Sequence, residues 1–196
     1  MSGDLIDPED GGAPALHEPL GVEFANTIYA LRRGPHDGLR TRGHAAAWLL
    51  ERGEQFQPTL GAREVAGLTQ QDLHLLIRLR DTIRAALQAL VDGHDTSATT
   101  RDQLNAVSAL SPQWLILTGD PPGTALATTA DPVTAAAAAV ARSAVTILGG
   151  PLRDAVRACP APGCVLFFVK DHPRREWCSA ACGNRVRVAR HHARHR

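Results

Sequence analysis

The chain has 196 residues, 44% of them hydrophobic and 21% charged, enough for one sizeable core and a small satellite. No run of eighteen or more apolar residues occurs, so no membrane span is expected. The formal net charge of +1 hides a division: residues 1–150 carry 11 arginines against 17 acids, net −6, and residues 151–196 carry 10 basic residues against 3 acids, net +7. A short basic end on an acidic body predicts that this end meets a polyanion.

Residues 1–19 are acidic and rich in glycine and proline, the composition of a disordered tail. From Leu20 to Arg33 the apolar residues Leu20, Phe24, Ile28 and Leu31 follow a helical period, which Gly34-Pro35 closes. A second helix is expected from Thr41, as N-cap, to Arg52, with Ala45, Trp48 and Leu49 facing inward. The longest helix starts at Thr69, where TQQD has the form of a capping box, and ends at Gly93; a fourth covers about 100–110. Two stretches, 114–118 and 125–130, read as strands of a hairpin turned by GDPPG. Asp131-Pro132, as N-cap and first helical residue, opens an alanine-rich helix that Gly149-Gly150-Pro151 stops. The fold class is α+β: a mostly helical N-terminal domain over 20–150 with a small β-hairpin or sheet, then a separate C-terminal module over 151–196.

That module holds every cysteine of the chain. Cys159, Cys164, Cys178 and Cys182 form C-x4-C and C-x3-C pairs separated by thirteen residues. Zinc prefers four thiolates in a tetrahedron, commonly one pair on a knuckle and one at a helix start. Pro160, Pro162 and Gly163 supply turn chemistry for the knuckle, and the i, i+4 spacing of Cys178 and Cys182 puts both sulfurs on one helical face. Val165 to Val169 reads as a short strand, turned back at Asp171-His172-Pro173 toward Arg174–Trp177, so the module is expected to be a treble-clef-like four-cysteine zinc finger. Two disulfides and an iron–sulfur cluster are the alternatives. MSGDLIDPEDGG lacks the apolar segment of a signal peptide, which places the chain in the cytoplasm and favours zinc.

A four-thiolate site leaves zinc no open position for water. Neither a Gly-x-Ser-x-Gly elbow nor a glycine-rich phosphate loop is present, and no enzyme is expected. After Cys182 the chain continues as GNRVRVARHHARHR, without an acid. Wound as a helix, it puts Cys182, Val186, Ala189 and Ala193 on one narrow face toward the hairpin, and Asn184, Arg187, His191, Arg194 and His195 on the other side. Asn184, Arg185, Arg187, Arg190 and Arg194 are the candidate DNA contacts, with Asn184 and Arg185 equally able to brace the knuckle. A zinc-dependent adaptor docking on an acidic protein surface is the alternative. In the N-terminal domain, Asn26, Asp37, Arg80 and Arg84 interrupt apolar faces. They form either a pocket for a small anionic effector or a buried polar network, such as an Arg80–Asp37 pair.

WCSAACGNR, from Trp177 to Arg185, resembles the CGNR zinc fingers, and LGVEFANTIYALRRGPHDGLRTRGHAAAWL resembles the start of the ABATE domain, a module that often precedes such a finger. The resemblance covers roughly residues 16–194. It implies a bacterial, nucleoid-associated, stress-induced transcription regulator with zinc as cofactor and DNA as partner. The N-terminal domain would then sense a small-molecule effector or assemble a homodimer. One departure stands in the finger: KDHPRRE before the Trp-Cys pair is short and carries Glu176, which weakens any phosphate grip by that loop.

Overall fold

The computed structural model describes residues 13–31 and 34–194, with side chains described as far as His192. Helix α1 spans Leu20–Ala25 and stops there. Its expected continuation to Arg33 is instead an antiparallel pair, β1 (Ile28–Leu31) and β2 (Gly34–Asp37), with Ile28 opposite Asp37. The physical reason lies at the junction. The Thr27 hydroxyl donates to the Phe24 carbonyl at 2.8 Å, and the Asn26 amide is committed to a strand 141 residues away. Ile28 and Tyr29 then suit an extended backbone, and Pro35 cannot continue a helix. Arg32 and Arg33 lie outside the described residues.

Next come α2 (Arg42–Glu51), α3 (Ala62–Val65), α4 (Gln70–Val91) and α5 (Ala98–Ser108). Their starts follow local capping chemistry. The Thr41 hydroxyl accepts from the His44 N–H, Thr69 and Asp72 cap each other's backbone N–H, and the Ser97 hydroxyl accepts from the Thr100 N–H. Strands β3 (Trp114–Thr118) and β4 (Gly123–Ala127) pair from Trp114–Ala127 to Thr118–Gly123. The second strand starts two residues before the expected 125, because the turn takes only residues 119–122 and Gly119 adopts a left-handed φ of 72°.

The last helix of this part, α6 (Pro132–Gly149), is the hub of the core, packing on α1, α4 and α5. Its alanines let neighbours come close: a Cβ on Gly21 would lie 2.8 Å from the Ala144 backbone nitrogen, and the Gly21 N–H donates to Ser143 Oγ at 3.0 Å. By length and composition α6 is also apolar enough to cross a membrane, although no continuous apolar run announced it. Here Val133, Ala137, Val140, Ala141 and Ile147 are buried among the other helices.

The C-terminal module contains β5 (Val156–Ala158), β6 (Phe167–Val169) and α7 (Ala180–Arg194). Its hairpin differs from the expected one. The partner of Phe167–Val169 is the strand before the first cysteine, Val156 facing Val169, and not Arg174–Trp177. Val156, Leu166, Phe167 and Phe168 join the same buried cluster as Phe24, Leu76 and Ile83, so one core runs across residue 151. Residues 13–19, expected to be disordered, also pack here: Ala13 is 1% exposed and Glu18 6%. The rest of the expected tail, 1–12, lies outside the described residues.

Asn26 joins the two segments as a strand would. Its amide nitrogen donates to the Phe167 carbonyl and its oxygen accepts from the Phe167 N–H, both at 2.9 Å and fully buried. Asn26→Ala is therefore expected to cost about 2–4 kcal/mol, because two buried backbone groups lose their partners. Denaturant unfolding measures it, and a loss below 1 kcal/mol, roughly one ordinary hydrogen bond, would contradict this role.

Asp131→Ala tests the local signals separately and should cost about 1 kcal/mol. Burial pushes the Asp131 carboxyl up, but hydrogen bonds from Thr134 and Val133 outweigh it and leave its pKa below the usual carboxylate value. A depressed folded pKa means that the cap contributes fully above the ordinary carboxylate range and is lost as pH falls through the depressed value. The stability difference between parent and Asp131→Ala should shrink on acidification along that course.

Candidate metal centre

The centre is built at the two ends of the β5–β6 hairpin and α7. Cys159 directly follows β5, where its N–H donates to the Leu166 carbonyl at 2.8 Å and extends the ladder by one pair. The knuckle turns at Gly163, whose φ of 72° is left-handed, and the Cys164 N–H closes it on the Ala161 carbonyl at 2.9 Å. Cys178 stands ahead of α7 and Cys182 in its first turn. Between them the Ser179 hydroxyl accepts from the Cys182 N–H at 3.4 Å, as an N-cap does. The sulfurs of Cys178 and Cys182 nevertheless meet, 3.5 Å apart.

All four Sγ atoms lie within 4.8 Å of one another, three of them in buried residues. A tetrahedral zinc with bonds of about 2.3 Å separates its sulfurs by about 3.8 Å. Cys164 lies 3.8 Å from Cys178 and 3.8 Å from Cys182. Disulfides need sulfurs about 2.0 Å apart, and all four cysteines are free. The donor set thus fits zinc, and these four thiolates would complete its tetrahedron with no position left for a substrate.

Charge is shared unequally among the thiols. Hydrogen bonds from the Cys164 and Cys178 thiols pull Cys159 down to about 2, helped by the backbone N–H groups of Cys178 and Ala161. Cys164 is pushed up to about 11, chiefly by its thiol bond to Cys159, and Cys178 is raised through its contacts with Cys159 and Cys164 and by burial. A dication is what allows four thiolates in one place.

Around the sulfurs, the motif residues hold the centre's shape. Gly183 sits in α7 where a Cβ would lie 3.0 Å from the Trp177 indole Cδ1, so the ring closes over the helix only because glycine is there. Arg185 donates to the Pro162 carbonyl at 3.1 Å, across from helix to knuckle. Asn184 accepts from Arg187 on the exposed side of α7. Arg175 is a contact the sequence did not reveal. It pairs with the buried Glu18, donates to the Val169 and Cys178 carbonyls at 3.0 and 3.3 Å, and stacks over Phe168. Burial, largest of several opposing effects, raises the Glu18 pKa.

The four polar residues expected on apolar faces, Asn26, Asp37, Arg80 and Arg84, find partners within the chain. Arg80, 3% exposed, pairs with Asp37 and, at 2.9 Å, with Asp81. Arg84 donates to the Ala25 carbonyl at 2.8 Å and to that of Val165 at 3.1 Å, and lies over the Phe167 ring. The structure thus brings Arg84 together with Asn26 at the finger and keeps Arg80 with Asp37 beside β2. A separate cavity of about 390 Å³ opens between α5, α6 and the turn leading to the finger, with Arg101, Asn105 and Arg153 around an apolar floor of Leu104 and Leu148.

The helix α7 is anchored only at its start. Cys182, Gly183 and Val186 are buried, whereas residues 187–192 are all exposed, including Ala189, which was expected to face the hairpin. After Val186 the described residues of the helix, 187–192, are exposed. The side chains of Ala193 and Arg194 lie outside the described residues, as does His195.

One zinc per chain is expected on metal analysis of purified protein, and Cys178→Ser should lose it. Since protons compete for thiolates, retention should fall as pH is lowered. Because the finger strands share the main core, stripping zinc should also lower the melting temperature of the whole chain. An unchanged melting curve after complete removal would show that the centre holds nothing together.

The comparisons with known proteins agree with this geometry. A family model described as "Putative stress-induced transcription regulator", ABATE, matches residues 18–151, and the CGNR zinc finger model matches residues 155–195. No curated protein matches the chain. The matched families are of regulator and zinc-finger type. With four clustered thiolates in the matched finger and two thirds of the sequence under the regulator model, the chain belongs to the ABATE family and ends in a zinc-binding CGNR finger.

Proposed function

We propose that the protein is a non-enzymatic, cytoplasmic bacterial transcription regulator that docks the exposed turns of α7 on DNA. The observation that carries this reading is the exposed stretch of α7: residues 187–192 are all exposed, and Arg187 and Arg190 supply the charge. A surface of phosphates offers such a basic helix its counter-charge. The body of net −6 turns nucleic acid away elsewhere, which orients the approach.

Within this reading the basic residues divide. Arg185, bonded to the knuckle, is a bracing residue first, and Arg175 is spent on Glu18. Arg187, Arg190 and Arg194 are the phosphate contacts, with Asn184 holding Arg187 in place. The N-terminal domain senses a signal or assembles the protein as a homodimer. A small effector has a place in the cavity beside Arg101 and Arg153, where Arg153 pairs with Asp95 at 3.2 Å, next to the turn that leads into β5. The adaptor reading draws on Val188, 55% exposed on the same basic helix.

Duplex affinity measured across a salt series separates the two. Arg187→Ala and Arg190→Ala should each remove about one phosphate contact, lowering the log–log salt slope by roughly 0.9 and weakening all sequences alike. Arg185→Ala should reduce zinc retention as well. If the zinc-loaded Arg187→Ala/Arg190→Ala variant binds duplex like the parent with an unchanged slope, DNA docking by α7 is wrong and the adaptor reading takes its place.

A further inference from the structure

The hairpin of β3 and β4 stands out from the core. All five residues of β3 are exposed, with Trp114 at 47%, Leu115 at 70%, Ile116 at 38% and Leu117 at 77%. Leu115 and Leu117 lie on one face with Leu126, and Trp114 and Ile116 on the other with Ala125 and Ala127, so both faces are apolar. Its base is firmly held. Arg142 donates to the Ser111 carbonyl at 3.2 Å and to Gln113 at 3.0 Å, Gln113 donates to the Gln57 carbonyl at 2.8 Å, and the Ser111 and Thr128 hydroxyls meet at 2.9 Å.

We propose that this hairpin is the surface through which two copies of the chain associate, β3 meeting β3 antiparallel about a twofold axis to form a four-stranded sheet. Two-stranded hairpins are marginal alone, and free strand edges are ordinarily guarded by lysine, inward charge or a bulge. From Ala109 to Ala130 the only ionisable residue is Asp120, in the turn. An uncharged apolar edge offers neither nucleic acid nor acidic partners a counter-charge. It is, however, complementary to itself, and antiparallel pairing of identical strands satisfies both edges at once.

The exposed patch is of the size that marks an interaction site. At those exposures the four side chains leave on the order of 400 Å² uncovered per copy, and pairing of the strand edges covers the part of it that flanks the partner strand. The proposal rests on the assembly role given above to the N-terminal domain. Its test reads association in the absence of DNA, so its failure leaves α7 docking untouched, and the converse holds.

Sedimentation of the zinc-loaded full chain over a micromolar concentration series should show a reversible dimer. Leu115→Lys/Leu117→Lys, at exposed positions that leave the core alone, should weaken it by roughly 100-fold or more through like charges placed opposite each other. Circular dichroism should show its helices intact. Hydrogen exchange on the parent gives an independent reading: amides of residues 114–118 should gain protection as concentration rises. A parent that stays monomeric, a dimer that survives both lysines, or β3 amides indifferent to concentration would each overturn the proposal.

Discussion

Four sulfurs within 4.8 Å of one another are the constraint on which the C-terminal module of this molecule depends. Ionising one thiol there makes the next harder to ionise, because like charges a few ångströms apart repel. A zinc ion removes that conflict and turns it into a cross-link between knuckle and helix. Everything basic that follows is presented from that fixed start. Gly183 lets the Trp177 ring close over the helix, and Arg185 reaches back to Pro162, so the first turn of α7 is tied by metal, aromatic packing and a hydrogen bond.

The finger in turn is fastened to the body by polar groups that behave as missing backbone. Asn26 pairs with Phe167 on both its N–H and its carbonyl, Arg84 joins the Ala25 and Val165 carbonyls, and Glu18 accepts from the Val169 N–H. Such contacts place polar atoms in a buried layer where each must be satisfied, which makes the relative placement of the two segments specific as well as stable. The cavity beside Arg153 lies against the chain segment leading into β5, so a molecule bound there would touch the route by which the body positions the finger.

Charge follows the same division. Acids dominate the body, and several basic groups near it are consumed internally: Arg52 by Glu23, Arg80 by Asp37, Arg175 by Glu18. Arg187 and Arg190, past Val186, are exposed on α7, where their charge faces water. Two exposed surfaces therefore stand out among the described residues, one basic and helical, the other apolar and stranded, and their chemistries are too different to serve the same partner.

How much of this was legible in the sequence depends on the range of each interaction. Thr41, Thr69 and Asp131 cap their helices through bonds three residues away, and the sequence alone placed those starts. The cysteine spacing determined the metal centre, because thiolate number and turn chemistry are local properties, and the charge division is simple composition. Tertiary structure decided the rest. A helical period from Leu20 to Leu31 gave way to a hairpin because Asn26 is held 141 residues away, and the strand Phe167–Val169 chose Val156–Ala158 over the following segment because that pairing leaves Phe167 facing Asn26. Glu18, Arg84 and Arg175 carry no local pattern that reveals their partners. Their energies come from burial and pairing across distant segments, and neither exists until the core has formed.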